Sequence, residues 1–574
     1  MTDSVRRSRG GYVIRLPERL KRASRLRTLR VAATLLAGVS AVAALSSSRL
    51  HPSVTGAALV GLVTCSTILA IGGFLSELEL RSMTVPRIVV LAGVLGVAST
   101  RPELTSIAVA VLALALETAA FRSAASLRPF AAGLDGCSTP RPRTWPVIAS
   151  ARVGLLCALA TILGVSWPMV AVLALVLGGA SLLLSAGQLG AAFLARRRQA
   201  EARERFRPEL QRLAPKFAVH WDAPTGTAYQ LTMWMDELVG IGEPFVIVVR
   251  NQEGFDDAAT AAGPGGPPVV LLERHDELDD LIVPSLIAIF YVNNAPSNTN
   301  CTRFSNLWHV QLNHGDSDKA PSYAPSLRQY DRNFVAGPAA ARRFADHAVE
   351  TTTDYFRIVG RPQLADVVRV EEARDHPTVV LYAPTWAGFN ADTAVSSLGY
   401  GRAIVEELLA AGVTVHFRPH PHALRVAKTA EDVRTIDGLL RNHRDRTGTG
   451  HRLSVESARL DLVECFNDAD ALITDVSSVL TDFLASAKPY AIAMSASDSD
   501  AQTLPLATGG VVLSSGHPGL HAGIEALLGP DRHFAARERL CRDYLGPDPG
   551  SAASILRDEV RTLLAGPKRP ANMR

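Results

Sequence analysis

Along the first third of the chain, apolar residues come in long, almost uncharged blocks: Val31 to Ser46, Thr55 to Leu75, Ile88 to Ser99, Leu104 to Phe121, Val147 to Val165 and Trp167 to Ala195. Several approach the roughly 20 residues that a helix needs to cross hydrocarbon, so the pattern predicts a multispan α-helical membrane region over residues 31–195, with about six helices. After Pro208 the pattern changes. Short β-rich runs bounded by Gly, Pro and Asn lie at Phe217 to His220, Phe245 to Arg250, Val269 to Leu272, Ile287 to Val292, His309 to Leu312 and Phe334 to Ala336. Amphipathic stretches such as Ala228 to Val239 and Pro338 to His347 separate them. A second series runs through Thr378 to Tyr382, Val413 to Arg418, Ala471 to Ile473, Tyr490 to Ala493 and Gly510 to Leu513, with helix Gly401 to Ala411 among them. Buried strands alternating with helices predict parallel sheets covered on both faces. The economical architecture is α/β, two doubly wound domains in tandem divided around Gly360 to Pro377, with the active site in the cleft between them.

Composition agrees with that division. Of 574 residues, 47% are hydrophobic and 20% charged, which excludes a largely disordered chain. The net charge is +4, yet residues 1–30 alone carry +8 and residues 196–207 carry +4, leaving −8 on the remainder. Positive charge confined to the flanks of apolar runs argues against a nucleic-acid binder and for membrane orientation. Six spans satisfy the positive-inside rule: Arg81, Arg87, Arg122, Arg128, Arg141, Arg143 and Arg196 to Arg198 fall inside, and only Arg49 and Arg101 outside. Both termini and everything after Arg196 are then cytoplasmic. Glu117 and Arg152 are the ionisable residues within the spans, and both fit snorkelling to the inner face. The six cysteines are widely spaced and form no CxxC pair, which fits a reducing compartment.

In open α/β sheets ligands bind beyond the carboxyl ends of strands, which singles out four places. Asn313-His314-Gly315-Asp316-Ser317-Asp318-Lys319 sets a His, a flexible Gly, two carboxylates and a Lys within seven residues, suited to general-base chemistry beside an anionic substrate; a solvated polar turn fits equally. Tyr382 to Trp386 ends a strand at Pro384 and exposes Thr385 and Trp386, for a phosphate and a flat ring, or as a plain turn with a packed Trp. Arg418-Pro419-His420-Pro421-His422 makes a cationic strand end for phosphate oxygens. Its two His have no acidic or thiolate partner at metal-ligand spacing, which speaks against a metal. Asp470 to Phe483 reads as strand, turn and helix start, where Thr474, Asp475, Ser477 and Ser478 offer a phosphate cradle or merely a cap. No GxxxxGK[ST], no GxGxxG after a strand and no GxSxG occurs.

Taken in order, YAPTW (Tyr382 to Trp386), RPHP (Arg418 to Pro421) and LITDVSSVLTDF with Lys488-Pro489 resemble the CDP-glycerol glycerophosphotransferase family, which includes teichoic-acid glycerol-phosphate primases and polymerases. The resemblance covers roughly residues 215–530. The chain departs from it at Asp316, where the family has an HGT-like sequence, and at Val476, where the family has an aromatic residue, so the transferred polyol is left open. The resemblance implies a GT-B-like pair of Rossmann-type domains. Residues 1–30 would form a basic cytoplasmic segment, 31–195 the membrane region, 196–214 a basic linker, 215–370 the acceptor domain and 371–574 the CDP-donor domain.

His314 matches the family's proposed base and His420 its second essential His. Thr385, Thr474, Ser477 and Ser478 match donor-binding positions, joined by Arg418 and Asp475 on phosphate and by Asp482 on ribose or glycerol hydroxyls. Asp316 and Lys319 are candidates for acceptor or phosphate contact. The implied partners are CDP-glycerol or another CDP-polyol, a lipid-linked or polymeric acceptor and the bacterial cell membrane. No tightly bound cofactor is implied, and divalent cation need stays open. Two rivals remain, a GT-B glycosyltransferase using a nucleotide sugar and a membrane transport or sensor protein with a nucleotide-binding cytoplasmic half.

Overall fold

The computed structural model describes residues 104–125, 127–138, 149, 153, 154, 156, 157, 160, 168–222, 227–386, 396–493, 504–515 and 517–569. The chain divides into two units, Met1–Phe206 and Arg207–Arg574.

In the first unit, Leu104–Ala125 forms a 22-residue helix, α1. A 46-residue helix, α2, covers Pro168–Leu213. Among the described residues, one helix is long and apolar enough to cross a membrane, the part of α2 from Val172. The expected spans Val31 to Ser46, Thr55 to Leu75 and Ile88 to Ser99 lie outside the described residues, and Val147 to Val165 is described only at scattered positions. The structure therefore supports one candidate span where six were expected. The expected linker at 196–214 is largely helix as well. Its Arg, Ala, Gln and Glu residues favour helix, and Arg197 pairs with Glu201 at 3.5 Å across one turn, so α2 continues through Pro208. Glu117 does not snorkel. It is buried, and a Cβ on Gly154 would come within 2.7 Å of its Oε2.

The second unit holds two parallel sheets. In the first, Phe217–Trp221 (β1), Phe245–Val249 (β2), Val269–Leu271 (β3), Ala288–Tyr291 (β4), Trp308–Gln311 (β5), Arg332–Val335 (β6) and Phe356–Ile358 (β7) run in the order β3-β2-β1-β4-β5-β6-β7. Strands β1 and β2, FAVHW and FVIVV, are buried at every position, as central strands covered on both faces must be. Strand β7 escapes sequence reading because it is a three-residue edge strand whose Ile358 faces solvent. In the second sheet, Val379–Ala383 (β8), Thr414–Phe417 (β9), Ala471–Thr474 (β10), Tyr490–Ala493 (β11) and Val511–Leu513 (β12) run β9-β8-β10-β11-β12. Chain order reverses direction beside β1 and again beside β8, which opens a crevice at the carboxyl end of each sheet.

Helices Tyr229–Gly240 (α3) and Pro338–Asp346 (α4) belong to the first lobe, and Gly401–Ala410 (α5), Ala427–Thr447 (α6) and the short Ser478–Phe483 (α7) to the second. Alternation along β8 divides the second core: Leu381 and Ala383 join Phe466, Phe483 and Tyr544 on one face, while Val380 and Tyr382 join Leu408 and Ile436 on the other. The first of these clusters also takes in Ala336, Ala339 and Leu364, so the lobes share apolar packing.

After the second sheet, helices Phe534–Leu545 (α8) and Ala552–Ala565 (α9) return to the first lobe. Arg561 Nη2 donates to Ile241 O at 3.0 Å, Trp308 Nε1 to Pro567 O at 3.2 Å and Arg569 Nη1 to Ser305 O at 2.8 Å. Gly337, just before α4, permits this return, since a Cβ there would lie 2.4 Å from Asp543 O and 2.5 Å from the Tyr544 carbonyl carbon. Gly337→Ala should therefore cost about 1–3 kcal/mol of stability, read from denaturant unfolding; an unchanged midpoint would show that α8 can be displaced freely.

Candidate active site

Beyond β5, Asn313 adopts φ +60, a left-handed conformation that Asn tolerates better than most residues. Its carbonyl accepts from Trp234 Nε1 at 2.7 Å, and its Nδ2 donates to Asn333 Oδ1 at 2.7 Å and to Phe334 O at 3.1 Å. The loop is thus fixed on both sides of the strand end, and it presents His314, half-buried, edge-on to Tyr229 at 6.4 Å. Burial pushes the His314 imidazole down to about 4, opposed by the backbone of Val292 and assisted by the charge of Arg361. A neutral ring at physiological pH is the form that can take a proton.

The rest of the loop meets the second lobe. A Cβ on Gly315 would lie 2.9 Å from Ser478 Cβ, so glycine allows the loop to rest on the start of α7. Thr481 Oγ1 donates to Asp316 O at 2.6 Å. The two loop carboxylates are engaged as struts: Arg343 from α4 pairs with Asp316 and, at 2.7 Å, with Asp318, which also accepts from Tyr544 OH at 2.7 Å. Asp316, expected at acceptor or phosphate, is thereby committed to Arg343. Burial lowers the pKa of Lys319, and the charge of Asp475 opposes the shift.

On the second lobe, Asp475 follows β10 directly beside the reversal of strand order and is fully buried. Its Oδ2 accepts from Thr385 N at 2.6 Å and its Oδ1 from Ser397 N at 3.0 Å. Burial raises its pKa to about 7, with those hydrogen bonds and Lys319 holding it lower than burial alone would. Thr474 Oγ1 donates to Ala383 O at 2.6 Å and lies 3.5 Å from Ser477 Oγ, while Ser477 occupies the cap position of α7. The Thr385, Thr474 and Asp475 groups therefore build the crevice wall, and Ser478 touches the His314 loop.

His420 donates its backbone N–H to Pro384 O at 3.0 Å, which sets it beside Thr385. Its Nδ1 accepts from His422 N at 3.1 Å, so in the neutral ring Nε2 carries the proton. Trp386 stacks on it at 6.4 Å and 27°. Burial pushes the His420 ring down to about 4, and the neighbouring basic groups His422, Lys319, Arg425 and His314 push the same way. His314, Lys319, Asp475 and His420, drawn from both lobes, thus share one electrostatic neighbourhood. Two expected donor contacts point elsewhere. Arg418 Nη1 donates to the carbonyls of Ser457 and, at 2.9 Å, Leu460. Asp482 receives both Nε and Nη2 of Arg361, at 3.0 and 2.9 Å, in a buried pair across the lobes.

Arg361, paired with Asp482 and close enough for its charge to act on His314, belongs to none of the four motifs. It follows the edge strand β7, whose three residues carry no buried-strand pattern that would mark a strand end. Ser397, whose N–H serves Asp475, belongs to no motif and could be found only from the fold. No group of three or more His, Cys, Asp or Glu residues suited to a metal occurs among the described residues.

Residues 363–501 match the family described as CDP-Glycerol:Poly(glycerophosphate) glycerophosphotransferase. That segment is glycerophosphotransferase-like. It contains Thr385, Arg418, His420 and the Thr474 to Asp482 motif, while His314 lies before it. Among solved structures, the wall teichoic acid polymerase TagF aligns at 16% identity and TM-score 0.40, over 65% of this chain and 95% of that one. Staphylococcus aureus MnaA in its UDP co-structure aligns at 10% identity and TM-score 0.41, over 62% and 100%. A UDP-N-acetylglucosamine 2-epimerase aligns at 11% identity and TM-score 0.40, over 62% and 98%. The fold is defined by the strand order above. No curated protein matches the chain.

Removing the carboxylate from the buried Arg361–Asp482 pair strands a guanidinium, so Asp482→Ala should lower unfolding free energy by about 3–5 kcal/mol; a loss under about 1 kcal/mol would mean that water reaches the pair. The histidines predict a pH effect. Unfolded His420 binds its proton below about pH 6.5, whereas the folded ring does so only near 4. Its contribution to stability is intact above about pH 6.5 and falls as pH drops toward 4. His420→Gln should accordingly flatten the pH dependence of unfolding across that window, and an unaltered slope would count against a buried neutral ring.

Proposed function

We propose that the chain is a membrane-anchored CDP-polyol phosphotransferase, moving glycerol phosphate or a related polyol phosphate to a hydroxyl of a lipid-linked or cell-wall glycopolymer acceptor and releasing CMP. The observation that carries this reading is the packing of Gly315, next to His314, on Ser478 at the start of α7, which brings the His314 loop of the first lobe to the crevice within the electrostatic reach of His420. The match of residues 363–501 to the glycerophosphotransferase family supports the donor class. In this reading the donor lies on the lobe that begins at residue 371 and the acceptor on residues 215–370. The apolar part of α2 and the preceding apolar runs hold the protein in the bacterial cell membrane, with the lobes on the cytoplasmic side.

The chemistry follows from the two rings. His314 takes the proton of the acceptor hydroxyl as that oxygen attacks the phosphorus bearing the polyol. The bond from that phosphorus to the bridging oxygen breaks, and CMP departs with the electron pair. His420 donates Nε2–H to the diphosphate, and Lys319 adds positive charge where the leaving group gains negative charge. An anionic donor between the rings also raises the proton affinity of His314, strengthening it as a base when substrate is bound. Ser477 and Ser478 supply hydroxyls at the start of α7 beside the diphosphate, with Thr385 and Thr474 forming the crevice wall behind them. Arg418 and Asp482 act one step removed, through the backbone carbonyls and the Arg361 pair that shape the crevice.

His314→Ala should lower turnover with CDP-glycerol by at least about 100-fold with little change in donor affinity, followed by CMP release. Normal turnover in this variant, or activity with UDP-sugars alone, would overturn the proposal.

A further inference from the structure

Helix α2 joins two opposite chemistries without a break. From Pro168 to Ala195 it is apolar, and Met169 (85% exposed), Leu183 (76%) and Phe193 (67%) present large side chains outward. That stretch is roughly 42 Å long, enough to cross a hydrocarbon core of about 30 Å with tilt. The next ten residues hold five arginines, Arg196, Arg197, Arg198, Arg203 and Arg205, all exposed, against Glu201 and Glu204. They are set around the helix rather than in a line. Arg196 and Arg203, seven apart, share one side, Arg198 and Arg205 share nearly the opposite side, and Arg197 lies between. Buried Ala202 and Phe206 take the remaining face, where the Arg203 guanidinium lies 4.7 Å from the Phe130 ring centroid.

We propose that residues 196–205 form a collar that binds the phosphate headgroups of anionic phospholipids at the cytoplasmic leaflet. This rests on the membrane-anchored reading above. The segment covers roughly 14 Å along the axis, so Arg196 to Arg198 stand at headgroup depth and Arg203 and Arg205 stand just beyond it. A charge separation of about 8 Å is still felt at physiological salt, which keeps the outer pair within reach of the leaflet's charge. Every basic residue of the collar is Arg, whose planar fork of donors pairs with phosphate oxygens two at a time, and none is Lys. The ring-like distribution fits a surface that surrounds the helix better than a single bound anion on one side. The occupant is therefore the bilayer itself, with phosphodiester headgroups that carry net negative charge.

The test uses the full chain in lipid nanodiscs of phosphatidylcholine with a minority of phosphatidylglycerol. Lipids retained by the protein after gentle detergent extraction are compared with the bulk ratio. The wild type should keep an excess of phosphatidylglycerol. Replacing all five residues (R196Q, R197Q, R198Q, R203Q and R205Q) should bring the retained lipid to the bulk ratio. Raising salt to about 0.5 M should remove the wild-type excess as well, a measurement that does not depend on how the variant folds. An excess that survives either change overturns the proposal. Release of the wild type from membranes by alkaline carbonate would instead show that the anchoring reading has failed, which separates the two.

Discussion

The arrangement depends on a close contact between two loops from different lobes. Gly315, one residue after His314, rests against Ser478 at the start of α7, with no room for a side chain between them. Four residues along α7, Asp482 grips Arg361 from the junction of the lobes, and Thr481 holds the backbone of Asp316. These interactions set the distance between a histidine presented by one sheet and the crevice of the other. A buried ion pair of this kind contributes modestly to net stability, but losing one partner is costly, so it fixes geometry more than it adds energy.

Electrostatics then act on a fixed frame. Burial keeps His314 and His420 neutral, and the hydrogen bond from His422 N chooses which nitrogen of His420 carries its proton. Asp475 presents the opposite case. Its carboxylate is enclosed, served by two backbone N–H groups and felt by the charge of Lys319, so its charge state is coupled to whatever cation or anion enters the crevice. In the proposed reaction a bound diphosphate would favour, through its negative charge, the protonated imidazoles that burial disfavours.

Much of this was legible in the sequence, for identifiable reasons. Central strands such as FVIVV are buried on both faces and read as unbroken apolar runs, and strand-end motifs mark the crevice because parallel sheets place ligands there. Edge strand β7 has no such signature, so nothing in the sequence marks Arg361 as a residue at a strand end. Asp316, Arg418 and Asp482 carry the residue types that phosphate chemistry uses, and sequence alone cannot tell a side chain that faces substrate from one that braces a loop. Arg343, Tyr544 and the second partner of each brace lie far away in the chain. Helix α2 shows a further limit: an arginine run after an apolar block resembles a linker by composition, while its intrinsic preference is helical.

The most direct measurement is an experimental structure of the full chain with CDP bound. The account predicts the terminal phosphate between the His314 and His420 rings, within hydrogen-bond reach of His420 Nε2 and beside Lys319. A diphosphate seated away from the carboxyl end of β8 and β10, or touching one ring with the other turned out of the gap, would contradict it.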